Sequence, residues 1–135
     1  MKFTLLALAS VLVLFTGCAT TNSGGAADSQ PETVMITYHV KPGNEAVFEQ
    51  MLWRAWRLYR LHHLVITEPH VVIRDEPQAT ETRFVEILTW VNHGAPENAP
   101  VRVKAVWDKI NSLCIIHRGQ SGPETKEVTI VPPAF

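Results

Sequence analysis

Two cysteines in 135 residues cannot make a disulfide framework. Basic residues are in no excess, 12 Lys and Arg against 13 Asp and Glu, so the electrostatic footprint of a nucleic-acid binder is missing. No apolar run reaches the ~18 residues that a membrane-spanning helix needs. The sequence also has no glycine-rich phosphate loop and no nucleophile motif. Six histidines are scattered without a His-x-His or His-x-x-x-His pair. No metal site is therefore expected from spacing, and no cofactor. These absences leave a small domain whose 46% hydrophobic content is enough for a core.

The clearest segment runs from Thr33 to Leu64. Thr33 to Lys41 reads as a strand, and Pro42-Gly43-Asn44 as a tight turn into a long amphipathic helix. At 100° per residue, Val47, Phe48, Met51, Leu52, Ala55, Leu58 and Tyr59 share one face, with Glu49, Gln50, Arg54, Arg57 and Arg60 opposite. Asn44 is the expected side-chain N-cap. The three arginines exclude this helix from a bilayer. Pro69–Arg74 and Arg83–Val91 read as further strands. A second helix begins near Pro100, with Val103, Val106, Trp107, Ile110, Leu113 and Cys114 on its apolar side, and Glu127–Val131 is the last strand.

The order βαββαβ over about 100 residues predicts an α+β, ferredoxin-like, four-stranded antiparallel sheet with both helices on one face. The other face must meet water or another protein.

The N-terminal part reads as an attachment device. Met1-Lys2 and the apolar run from Phe3 to Phe15 have signal-peptide form. Leu14-Phe15-Thr16-Gly17-Cys18 resembles the lipobox of bacterial lipoproteins, in which the cysteine thiol takes the lipid. Phe15 departs from the usual leucine. The expected organisation is a signal peptide over residues 1–17, lipidated Cys18 with a flexible tether over 18–32, and the domain over 33–135. The tether is rich in Gly, Ser and Ala and has no apolar periodicity. By resemblance to Gram-negative lipoproteins, Ala19 after the cysteine implies the periplasmic side of the outer membrane as the place in the cell envelope. Past residue 17 the net charge is −2. With Cys18 lipidated, Cys114 stays unpaired and is expected to be buried.

Val40-Lys41-Pro42-Gly43-Asn44-Glu45 with Phe48, and the strand ending Thr89-Trp90 before a loop and helix, resemble the antibiotic-biosynthesis-monooxygenase-like domains. The resemblance covers Thr33 to Val131. It implies a dimeric α/β barrel, in which two sheets pack by their helix-free faces, and hence a homodimer. It also allows a cofactor-independent monooxygenase acting on an aromatic substrate. The haem-degrading members pair a first-strand asparagine with a tryptophan and a second-helix histidine. Here His39 and Trp90 are present but no histidine lies between Pro100 and Cys114, which argues against haem degradation.

Strand alternation sorts Val34, Ile36, Tyr38, Val40, Val71, Ile73, Val85, Ile87, Val128 and Ile130 into an apolar set. Thr37, His39, His70, Arg74, Glu86, Trp90 and Thr129 form a polar one. If the first and third strands are antiparallel neighbours, His39 lies near Glu86 as an acid–base pair. Trp90, Arg74 and His70 would then line a ligand pocket. The plainer reading makes the same side chains satisfied polar contacts in a dimer interface. The loops at His93 and His117 are the next candidates. Two function classes stay open: an envelope lipoprotein whose domain binds a small apolar or aromatic molecule, and a monooxygenase-like enzyme.

Overall fold

The structure, a computed structural model, describes residues 29–78, 81–119 and 122–134. The expected signal peptide, lipidated Cys18 and most of the tether lie outside the described residues. The elements are β1 (Glu32–Val40), α1 (Glu45–Leu61), β2 (Val65–Gln78), β3 (Glu81–Trp90), α2 (Val101–Ser112) and β4 (Glu124–Glu127). The sheet order is β2-β3-β1-β4, and every pairing is antiparallel. With both helices packed on one face of that sheet, the fold is α+β and ferredoxin-like.

The turn into α1 depends on Gly43, whose φ of +84° few L side chains adopt. The helix then starts without the expected asparagine cap. Asn44 makes no side-chain capping bond. Glu45 supplies negative charge in the first turn, where the backbone N–H of its own residue and then that of Gly43 lower its carboxyl pKa. Phe48, Leu52, Ala55, Trp56 and Tyr59 face the sheet. They pack with Val103, Val106 and Ile110 of α2 and with Val34, Ile36, Tyr38 and Val40 of β1. Each large apolar side chain buried this way contributes ~1.5–3 kcal/mol. Val47, expected on the core face, is exposed at its margin.

Three strand expectations change. β2 begins at Val65, four residues before Pro69, and carries irregularities between Ile66 and Val71 and between Asp75 and Gln78. Pro69, which has no N–H to give the ladder, sits in the first of these. β4 lies at Glu124–Glu127, upstream of the apolar Val128 and Ile130. It is an edge strand held by backbone pairing to β1, so polar side chains suffice.

The third change concerns the faces. Ile36 is opposite Glu86, Val34 opposite Leu88 and Tyr38 opposite Phe84. Glu86 and Trp90 therefore share the helix side with Val34, Ile36 and Tyr38. Val85 and Ile87 turn to the other side, where Ile73 and Val71 pair with them. The apolar set is split across the sheet. Alternation within a strand defines two sets of side chains, but only register decides which set meets the helices. The helix-free face carries Met35, Val71, Ile73, Val85 and Ile87 at its centre; Val71 and Ile73 are 42% and 48% exposed.

Candidate functional site

Between the β1–β4 half of the sheet and α2 lies a cleft of about 340 Å³. Its walls are Val34, Ile36 and Tyr38 from β1, Tyr59 from α1, Trp90 at the end of β3, and Trp107 and Ile110 from α2. The aromatic wall is cross-braced. Tyr59 meets Trp90 edge-on with centroids 5.1 Å apart, and Trp90 meets Trp107 at 6.4 Å and 82°. Trp107 donates its indole N–H to the Tyr59 hydroxyl. Tyr59 and Trp107 were legible as apolar-face residues, and Trp90, sorted with the polar strand set, as a pocket-lining one. Their convergence was not, because it joins three elements far apart in sequence.

The mouth is polar. Glu32, Glu97, His93, Asn111 and Thr125 surround it. His93 Nδ1 lies 2.8 Å from Glu32 Oε2. Two carboxylates at the rim disfavour an anionic ligand and suit a neutral one that can donate a hydrogen bond.

Tyr38 connects the cleft to a buried polar group. Its hydroxyl donates to Glu86 Oε2 at 3.0 Å. The other carboxylate oxygen is 2.9 Å from His70 Nε2. Glu86 has no exposed surface at all. His70 is held flat against Trp56, with centroids 3.6 Å apart, and edge-on by Trp53. Burial, and then the nearby Glu86 charge, push the Tyr38 pKa well above its ordinary value. Burial does the same to Tyr59. Both phenols keep their protons and neither serves as a base; Tyr38 donates its own to Glu86, whereas the Tyr59 oxygen accepts from Trp107.

The expected His39–Glu86 neighbours are on opposite faces of the sheet. His39 is opposite Arg83, and its Nδ1 lies 2.8 Å from Glu81. Glu86 instead takes Tyr38 and His70. Of the three pocket candidates, Trp90 lines the cleft, whereas His70 belongs to the Glu86 cluster. Arg74 is half-exposed, lies over the Phe84 ring and pairs with Glu76 at 2.6 Å. Of the two loop candidates, His93 stands at the cleft mouth and His117 stacks on His39.

No family model and no curated protein matches this chain in sequence. Solved structures do match in fold. The cofactor-independent oxygenase SnoaB from Streptomyces nogalater aligns with a TM-score of 0.55 at 16% identity, over 76% of this chain and 95% of that one. A putative antibiotic biosynthesis monooxygenase from Caulobacter crescentus aligns at 0.54 and 14% identity, over 79% and 95%. A conserved protein from Methanosarcina mazei aligns at 0.55 and 12%, over 76% and 95%. This domain shares the fold of the antibiotic biosynthesis monooxygenases. At these identities the likeness is one of fold.

Proposed function

We propose that the domain binds a small, neutral, aromatic molecule in the cleft walled by Tyr59, Trp90 and Trp107. The observation that carries this reading is the cleft itself: about 340 Å³, walled by aromatic rings, with two carboxylates and an imidazole at its rim. That is the make-up of a small-molecule site, apolar walls with a few placed polar groups. The test is calorimetric titration with 1-naphthol. A ligand of its size reaches a Kd of about 10–100 µM at ~0.5–0.6 kcal/mol per non-hydrogen atom. Thr125→Trp, on the exposed edge strand at the rim, should fill the cleft and abolish binding while leaving the thermal midpoint unchanged. Equal binding by that variant would place the ligand elsewhere.

A second reading, an oxygenase acting on a phenol, is favoured by one feature. The Glu32–His93 pair is a carboxylate-oriented imidazole at the mouth of an aromatic cleft, where it can take a phenolic proton. In this reading the acid–base role moves from His39 and Glu86 to Glu32 and His93. SnoaB, a cofactor-independent oxygenase, lends it the fold. Oxygen uptake with a phenolic substrate, lost ~10²–10⁴-fold in His93→Ala, would support it. Binding without uptake would leave the binding module.

The same proposal puts the domain on a membrane as a homodimer. Among the described residues no helix is long and apolar enough to cross a bilayer, so attachment rests on Cys18 after Leu14-Phe15-Thr16-Gly17. Stable anchoring needs more than one acyl chain. Cys18→Ala should accumulate as an unprocessed precursor; normal processing of that variant would refute the anchor. The dimer rests on the helix-free patch of Met35, Val71, Ile73, Val85 and Ile87, an apolar face of the kind that marks a protein–protein contact.

A further inference from the structure

At the rim of the helix-free face, away from the cleft, three side chains from separate segments converge. His39 lies near the end of β1, His117 in the connection from α2 to β4, and Glu124 at the start of β4. One ligand atom from each falls within 4.8 Å of the others. His39 Nε2 is 3.6 Å from Glu124 Oε1, and His117 Nε2 is 3.9 Å from the same oxygen. Ligand atoms around a tetrahedral zinc ion, with bonds of ~2.0–2.1 Å, stand ~3.3 Å apart. The two separations to Glu124 are ~0.3–0.6 Å wider than in a filled site, and the His39–His117 separation lies within 4.8 Å.

We propose that His39, His117 and Glu124 form a binding site for a borderline divalent cation of the Zn²⁺ class, with Glu81 as its outer-sphere partner. The outer partner is the second observation. Glu81 Oε1 lies 2.8 Å from His39 Nδ1. A carboxylate there fixes the proton on Nδ1 and turns the Nε2 lone pair toward Glu124 and His117, as in the carboxylate–histidine–metal arrangement. A simple ion pair of His39 would need one carboxylate. Here both ring nitrogens face one, and a second imidazole shares the second carboxylate.

The backbone holds the ligands in place. Ile115 N donates to His39 O at 2.8 Å and Lys41 N to Leu113 O at 2.9 Å, which ties the start of the His117 loop to β1. Glu124 sits in register opposite Thr37, two residues from His39 on the same face. His39 is 6% exposed, which limits its motion. The two imidazoles are parallel, 3.8 Å apart at 3°, so their lone pairs are not yet convergent. Closing the site requires the partly exposed His117 ring to tilt out of the stack. Arg118, next along, is exposed and borders the same surface hollow as Glu124. Two imidazoles and one carboxylate leave a coordination position for water, and this donor set selects zinc-like ions over magnesium or calcium.

The test uses the full chain in detergent, stripped with a chelator and dialysed against Zn²⁺. Bound metal is then measured by mass spectrometry, and Co²⁺ serves as a spectroscopic probe. One Zn²⁺ per chain is expected, with the visible absorption of four- or five-coordinate Co²⁺. His117→Ala and Glu124→Gln, both at partly exposed positions, should weaken binding at least tenfold. Glu81→Gln should weaken it ~10–100-fold with every ligand retained. Failure to bind at tens of micromolar Zn²⁺, or binding that survives both His117→Ala and Glu124→Gln, would overturn the proposal. Neither result depends on the aromatic cleft, whose 1-naphthol binding is measured separately.

Discussion

Tyr38 donates its phenolic hydrogen to Glu86, a carboxylate sealed in the core 48 residues further along the chain. The pair explains why a core of aliphatic and aromatic residues tolerates a carboxyl group: each oxygen has a partner, Tyr38 on one and His70 on the other. Tyr38→Phe removes one partner and leaves the carboxylate oxygen unsatisfied. The expected loss is ~1–3 kcal/mol, read from the urea midpoint. In a Glu86→Leu background the same change should cost clearly less, because no acceptor remains to be stranded. An equal cost in both backgrounds would mean the Tyr38 hydroxyl matters through packing alone.

Cys114 offers a pH test. Burial pushes its thiol up to about 11 from an ordinary 9.0. Between those values the unfolded thiol has lost its proton and the folded one has kept it. The unfolded state then binds fewer protons, so stability falls as pH rises through the window, by at most ~1.4 kcal/mol per pH unit. From pH 10 upward Tyr38 and Tyr59, both raised, add to the same slope. Cys114→Ala should flatten the pH 9–10 stretch of the curve and keep the decline above it. An unchanged slope between pH 9 and 10 would contradict the burial argument.

The helix-free face predicts a dimer that one charge should break. Ile87 lies centrally, opposite Met35 on one side and Val71 on the other. In a two-fold interface each substitution acts twice. Ile87→Glu should therefore convert the protein to a monomer in light scattering at micromolar concentration, with 1-naphthol binding kept. A wild-type monomer at that concentration would remove the barrel from the account.

Much of the architecture was legible because it depends on local period. The α1 stripe of Phe48, Leu52, Ala55 and Tyr59 follows from the 3.6-residue repeat, and the turn at Gly43 from composition. β3 was ambiguous for a physical reason. Phe84, Leu88 and Trp90 on one side and Val85 and Ile87 on the other are both plausible core faces, so alternation could not say that Glu86 points inward. The His39–Glu86 pairing failed at the same step. A one-residue change of register moves a whole strand face across the sheet, and the observed register sets Ile36, not His39, against Glu86. Trp107, His93 and Glu32 were separately visible residues. What joins them is the space that α2 leaves over β1 and β4, which is a property of packing alone.

The four tryptophans allow the central claim to be tested within one spectrum. Trp90 and Trp107 line the cleft, whereas Trp56 and Trp53 pack on His70. The measurement is the indole Nε1–H resonances of ¹⁵N-labelled protein during titration with 1-naphthol. The account predicts saturable shifts of Trp90 and Trp107, with Trp53 and Trp56 unmoved. Shifts confined to Trp53 and Trp56, or no shift at saturating ligand, would contradict it.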